Sequence, residues 1–171
     1  NPFPSMPIKF WGDKDGQKYH KAYFKRFKNI WHHGDYAEKK NSGGYIIYGR
    51  SDATLNPGGV RLGTSEIYSI VEKFEEINES IVVGQPWDND VRVILFVVLN
   101  KNSSLDQNLI NMLKKEIKTN ASPKHVPSKI IQVSDIPRTK NGKIVELAVK
   151  NIIDGNAIKN IEAISNPKVL N

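Results

Sequence analysis

The longest strictly apolar stretch in this 171-residue chain is the seven-residue run Val93 to Leu99. Its β-branched and aromatic content predicts a buried strand, and it falls well short of the roughly 18 apolar residues of a membrane-crossing helix. No transmembrane segment is therefore expected, and the fold must supply cover for a central strand. At roughly 150 residues per domain the length allows one domain plus a fragment.

Around that run the periodicities are mixed. Ser80 to Val83 reads as a second strand, separated from the first by a loop from Gly84 to Asp90, and Lys129 to Val133 reads as a third. Thr64 is a suitable N-cap for a helix over 65–77, with Ile67, Ile70, Val71 and Phe74 at helical spacing and Glu66 in the first turn. A second helix is expected over 106–117 through Leu109, Ile110, Leu113 and Ile117, and a third over about 143–153 through Ile144, Leu147, Ala148 and Ile152. A short amphipathic helix over 22–31 would carry Tyr23, Phe24, Phe27, Ile30 and Trp31 into a core. Tyr45 to Tyr48 reads as a strand closed by Gly49, followed by a hairpin tipped by Asn56-Pro57-Gly58-Gly59. Strands and helices alternate without a uniform βαβ rhythm, so the class is α+β, with a small sheet of about three strands packed with helices.

Composition narrows the chemistry. The absence of cysteine excludes disulfides, thiolate metal sites and cysteine nucleophiles, and fits a reducing, cytoplasmic setting. The chain begins Asn-Pro-Phe-Pro-Ser, without Met or a secretory signal, and reads as a fragment of a longer protein. A net charge of +7, from 25 basic and 18 acidic residues, permits nucleic acid, anionic membrane or phosphorylated ligands as partners without choosing among them. Phosphate-loop, dinucleotide, serine-hydrolase and zinc-protease motifs are absent, and the four histidines lack ligand spacing for zinc. No metal ligand is expected from this chain.

Four segments remain. In Gly34-Asp35, glycine allows close backbone approach and the carboxylate can accept two hydrogen bonds from a diol, although Gly-Asp is also an ordinary turn. Gly49-Arg50-Ser51-Asp52 places a guanidinium two residues before a carboxylate, suited either to ribose and phosphate oxygens or to a strand-end salt bridge. Pro57-Gly58-Gly59-Val60-Arg61 sets two side-chain-free positions beside a cation, as a ligand surface or as a tight hairpin. In Pro137-Arg138-Thr139-Lys140-Asn141-Gly142-Lys143, three cations surround an Asn-Gly turn, and Lys143 would open the last helix. A cation at a helix N-terminus opposes the macrodipole, which suggests an anionic ligand.

Taken in order, these segments resemble the adenylate-forming family of acyl-CoA synthetases. The likeness is densest over residues 45–64 and 136–149, and extends to Ser5-Met6-Pro7 and Asn166-Pro167. Gly58-Gly59-Val60 stands where acetate-activating members typically carry Ser-Gly-His, and Val145-Glu146-Leu147 replaces their basic residues, which ranks acetoacetate above acetate as the acyl substrate. The resemblance implies that residues 1–51 end a large N-terminal AMP-binding domain, that 52–153 form a small mobile C-terminal domain hinged at Asp52, and that 154–171 are a tail. It implies ATP with Mg²⁺ and CoA as the reactants of two half-reactions, adenylation and thioester formation, separated by rotation of the small domain.

Residue by residue, the resemblance makes Asp35 the ribose-hydroxyl ligand, Arg50 a ribose or phosphate contact and Lys143 the adenylation lysine. Gly58, Gly59 and Val60 would line the pantetheine approach, Arg61 would meet phosphate, and Lys114 aligns loosely with a CoA-phosphate cation. The phosphate loop and acyl pocket, and with them most of the Mg²⁺-ATP site, would lie in the chain's own N-terminal domain outside this sequence, so the isolated fragment is expected to be inactive. The competing reading is a basic nucleic-acid-binding module with 15 aromatics, although these fall mostly on apolar stripes. A third is a purely docking role in which the hairpin glycines serve packing.

Overall fold

The computed structural model describes residues 4–158 and 160–170, in two compact units divided between Gly34 and Asp35. In the first unit α1 spans Gln17–Tyr23. Its free amides are met by carboxylates: Asp13 accepts from the backbone N–H groups of Lys18 at 3.0 Å and Tyr19 at 2.8 Å, and Asp15 from Gln17 at 3.2 Å. Such side-chain acceptors satisfy donors that the first turn leaves unpaired.

The helix expected over 22–31 is thus displaced toward the N-terminus. The chain leaves helical geometry at Phe24, and Asn29 adopts a left-handed φ of 60° that no continuing helix tolerates. The aromatic spacing arises from a cluster instead of a helical stripe. Trp31 stacks on Tyr23 with centroids 3.9 Å apart, while Phe10, from the preceding loop, meets Tyr19 and Tyr23 edge-on. Phe27 and Ile30 are left exposed.

The second unit opens with a hairpin. β1 (Asp35–Lys39) pairs antiparallel with β2 (Tyr45–Arg50), setting Asp35 opposite Arg50. Gly34-Asp35 therefore enters a strand, a role that its short, charged sequence does not announce. The glycine-tipped hairpin is present in its smallest form: Leu55 and Leu62 exchange backbone hydrogen bonds of 3.0 and 2.9 Å across a 3-10 turn at Pro57–Gly59.

α2 (Thr64–Val71) is shorter than expected, and its N-cap is Gly63 instead of Thr64. The Glu66 carboxylate reaches back to the Gly63 N–H at 3.0 Å. Ile77 belongs to the next strand, so the helical period ran past the true end.

β3 (Ile77–Trp87), β4 (Asp90–Leu99) and β5 (Lys129–Gln132) form a sheet of order β3-β4-β5, with β5 parallel to β4. The loop expected over 84–90 shrinks to Asp88-Asn89, whose φ values of 50° and 58° give the two left-handed residues of a tight hairpin turn. Pro86 misled the sequence reading; it is tolerated because β3 is an edge strand.

α3 (Gln107–Asn120) is capped by Asp106, which accepts from the Leu109 N–H at 2.8 Å. α4 (Glu146–Ile153) begins three residues after Lys143. The expectation that Lys143 opens this helix is corrected: Gly142 has a φ of 78° and belongs to a turn that ends before the helix starts.

Val82, Val93, Leu95 and Val97 join Ile67, Val71, Leu113 and Ile117 of α2 and α3 in one apolar cluster. Ile81 and Phe96 point to the opposite face, where they meet Val149, Ile152 and Ile153 of α4. Cover on both faces explains why Val93 to Leu99 contains no polar residue.

Candidate functional site

The β1-β2 hairpin gathers four of the sequence-predicted residues. The Arg50 guanidinium lies 3.6 Å from Asp35 across the ladder, and 3.4 Å from Asp52 just beyond β2. Arg61 donates to the Ser51 carbonyl at 2.9 Å and lies over the Tyr36 ring with its guanidinium carbon 5.0 Å from the centroid. Asp35, Arg50, Asp52 and Arg61 thus form one exposed alternation of charges. The salt-bridge reading of Gly49 to Asp52 is the one the geometry shows, and a half-exposed ion pair contributes little to stability and leaves the guanidinium exposed.

The Gly58-Gly59-Val60 turn is a separate surface. The Asp90 carboxylate accepts from the Gly58 N–H at 2.7 Å and from its own neighbour Val91, and these two backbone donors hold Asp90 below the usual carboxylate range. Lys124 lies so close over Gly58 that a Cβ at that position would overlap its ammonium. A cleft of about 410 Å³ opens beside the turn, lined in part by Pro57, Asp90, Arg92 and Lys124. Within it Arg92 stacks on Trp87 at 3.6 Å.

Sequence reasoning missed Lys124, Arg92 and Asp90. Only the Asx-rich Asp88-Asn89-Asp90 stretch offered a signal, for Asp90 alone. Lys114 lies on α3, where its side chain makes no hydrogen bond or ion pair with the described residues.

The segment 138–144 is a braced loop. Arg138 and Ile144 pair as an isolated bridge; the Thr139 N–H donates to the Lys143 carbonyl at 2.8 Å, and the Lys143 N–H to Thr139 Oγ1 at 3.1 Å. The Arg138 side chain spans the loop, donating to the Gly142 carbonyl at 2.8 Å and pairing with Glu79 of β3 at 2.6 Å. The Lys143 side chain is exposed and makes no ion pair or hydrogen bond with the described residues. Its backbone is held while its charge is left available, which suits stabilisation of a developing anion.

A buried polar contact adds to the apolar packing of α4 on the sheet. Tyr68 of α2 donates to the Glu146 carboxylate at 2.5 Å and accepts from the Val82 N–H at 3.1 Å. Burial pushes the Glu146 carboxyl above its ordinary range, against the opposing pull of hydrogen bonds from Tyr68 and Thr64, and the Asp52 charge adds to the rise. Among the described residues no group of three His, Cys, Asp or Glu side chains could hold a metal ion, and no helix is long and apolar enough to cross a membrane.

Residues 66–143 match the AMP-binding enzyme C-terminal domain. Over 98% of its length the chain is 57% identical to acetoacetyl-coenzyme A synthetase of Rhizobium meliloti (strain 1021), and over 99% it is 47% identical to acetoacetyl-CoA synthetase of Gallus gallus. It spans 26% of the length of each of these curated relatives. The solved acetoacetyl-CoA synthetase from Streptomyces lividans superposes with a TM-score of 0.90 at 41% identity, over 99% of this chain and 26% of that one. The fold, the matched domain and the relatives agree, and the chain belongs to the adenylate-forming family as a region homologous to the C-terminal portion of acetoacetyl-CoA synthetase.

Proposed function

We propose that the protein carrying this chain is an acid-thiol ligase that converts acetoacetate, ATP and CoA to acetoacetyl-CoA, AMP and pyrophosphate. The observation that carries the reading is Lys143: an available cation on a braced loop, within a segment homologous to acetoacetyl-CoA synthetases. In the first half-reaction an acetoacetate oxygen attacks the α-phosphate, and pyrophosphate leaves with the electron pair of the broken P–O bond. Lys143 offsets the negative charge that builds on the phosphate oxygens. Asp35 accepts from the ribose hydroxyls, and Arg50, held between Asp35 and Asp52, contacts the ribose or a phosphate. In the second half-reaction the CoA thiol gives up its proton and its sulfur attacks the acyl carbon, releasing AMP.

Residues 1–51 end a large AMP-binding domain, residues 52–153 rotate about Asp52, and 154–171 follow as a tail. The Gly58-Gly59-Val60 turn lines the pantetheine path, with Arg61 on phosphate and Lys114 as a further cation for CoA. The ATP-bound Mg²⁺ is assigned to the nucleotide phosphates and the large domain. The lack of cysteine fits a reducing, cytoplasmic setting.

ATP-pyrophosphate exchange in the full-length protein tests this, with acetoacetate or acetate as the acid. Exchange should favour acetoacetate and fall by about 100-fold or more in Lys143→Ala, as for loss of a transition-state donor. Acetate preference would move the substrate assignment, and undiminished exchange in the variant would refute the role of the lysine. The isolated chain should catalyse no exchange.

A further inference from the structure

The segment after α4 has no sequence periodicity, yet it is bonded to the lysine loop by a dense set of contacts. Asn166 uses its whole amide: Oδ1 accepts from the Arg138 N–H at 2.9 Å, while Nδ2 donates to the Asp135 carboxylate at 2.7 Å and to the Ile136 carbonyl at 2.9 Å. Ser165 donates its N–H and its hydroxyl to the Arg138 carbonyl, at 2.8 and 3.0 Å. The Lys140 N–H donates to the Ala163 carbonyl at 3.1 Å, and Ile164, itself buried, pairs with Thr139. Val169 and Leu170 then line an apolar cleft with Ile152 and Ile153 of α4.

Arg138 is therefore held through its N–H and its carbonyl by residues 165 and 166, and through its guanidinium by Glu79. The loop that carries Lys143 starts from that fixed point. Without the tail contacts the Arg138 N–H and carbonyl lose these partners and the loop keeps only its internal bonds and the side-chain pair of Arg138 with Glu79, so the lysine would search more placements before each adenylation. Holding a reacting group in one geometry is among the largest sources of rate, and a misplacement of about 1 Å costs on the order of 100-fold.

We propose that Ile164 to Asn166 form a strap that presets the Lys143 loop for adenylation, with Asn166 as the positioning residue. The inference rests on the reading of Lys143 given above. In the full-length protein, Asn166→Asp keeps the shape and the Arg138 acceptor but sets an oxygen against the Asp135 carboxylate and the Ile136 carbonyl. It should lower kcat for acetoacetate-driven ATP-pyrophosphate exchange by about 10- to 100-fold, with little change in KM for ATP. Thioester formation from preformed acetoacetyl-adenylate should stay near wild type, because that step does not use Lys143. Amide hydrogen exchange over residues 138–144 should accelerate, and Asp135→Asn in the same protein should restore much of the lost rate by supplying the missing donor.

Equal loss of both half-reactions would mark Asn166 as merely structural and overturn the strap. Exchange lost in Lys143→Ala but retained in Asn166→Asp would also overturn it, while leaving the lysine's role standing. Exchange retained in Lys143→Ala would overturn the reading of the lysine and the strap with it.

Discussion

Removing a single oxygen, by Tyr68→Phe, probes the contact that ties α4 to α2 and β3. The hydroxyl donates to Glu146 and accepts from the Val82 N–H, so the variant takes a partner from a carboxylate and orphans a backbone donor in the sheet. A hydrogen bond to a charged group contributes about 1.5–3 kcal/mol, and an unpaired buried donor costs about 1–3. Because the two overlap at one atom, a net loss of about 2–4 kcal/mol is expected near neutral pH.

With a urea m-value of about 2 kcal/mol/M, that loss lowers the unfolding midpoint by about 1–2 M. The pH dependence is the sharper test. Burial, the largest influence, raises the Glu146 carboxyl above 4.5, and the Tyr68 bond opposes that rise by favouring the charged form. Glu146 therefore contributes stability that is fully present below its unfolded value and is lost as pH rises through the raised folded value. Tyr68→Phe pushes the carboxyl further up, so its cost is largest where wild-type Glu146 is ionised and shrinks as the pH falls toward 4.5. A loss below about 0.5 kcal/mol, or one of equal size at pH 5 and pH 7.5, would refute the argument.

Gly63→Ala should destabilise by about 1–3 kcal/mol in the same unfolding assay, since its Cβ would overlap the Tyr48 carbonyl and side chain at a buried position. At the β3-β4 turn, Asn89→Ala should cost about 1 kcal/mol and Asn89→Gly little or nothing, because Asn89 has a left-handed φ of 58°. The Val91 and Gly58 amides depress the Asp90 carboxyl, so the restraint on the glycine turn persists above its ordinary range of about 3.8 and fails as the pH drops through the lowered value. Amide exchange at Gly58 should be faster in Asp90→Asn than in wild type at pH 6, and equal rates would show that the carboxylate does not hold the turn.

Local pattern was sufficient wherever a segment needed only its own neighbours. The apolar run Val93 to Leu99, the stripe Leu109, Leu113 and Ile117 of α3 and the glycine-tipped Leu55-Leu62 hairpin were legible because an unbroken β-branched run, a 3.6 period or a glycine turn is set within a few residues. The ordered motifs around Gly34-Asp35, Arg50, Gly58-Gly59 and Arg138 to Lys143 likewise pointed to the family before any geometry was available.

Pattern failed where a distant group decided the outcome. The aromatics over 22–31 answer to Phe10, and Pro86 is admitted to a strand because β3 lies at the sheet edge. The bracing of the candidate site is also non-local: Tyr68 and Glu146 are 78 residues apart, Asn166 and Asp135 31, and Asn166 and Arg138 28. The sequence alone determined the α+β class and the family, through the ordered motifs that carry Asp35, Arg50 and Lys143. Only the tertiary structure decided that Lys143 stands on a loop outside α4, held by the tail, because a hydrogen-bond partner that far along the chain leaves no periodic trace near the residue it positions.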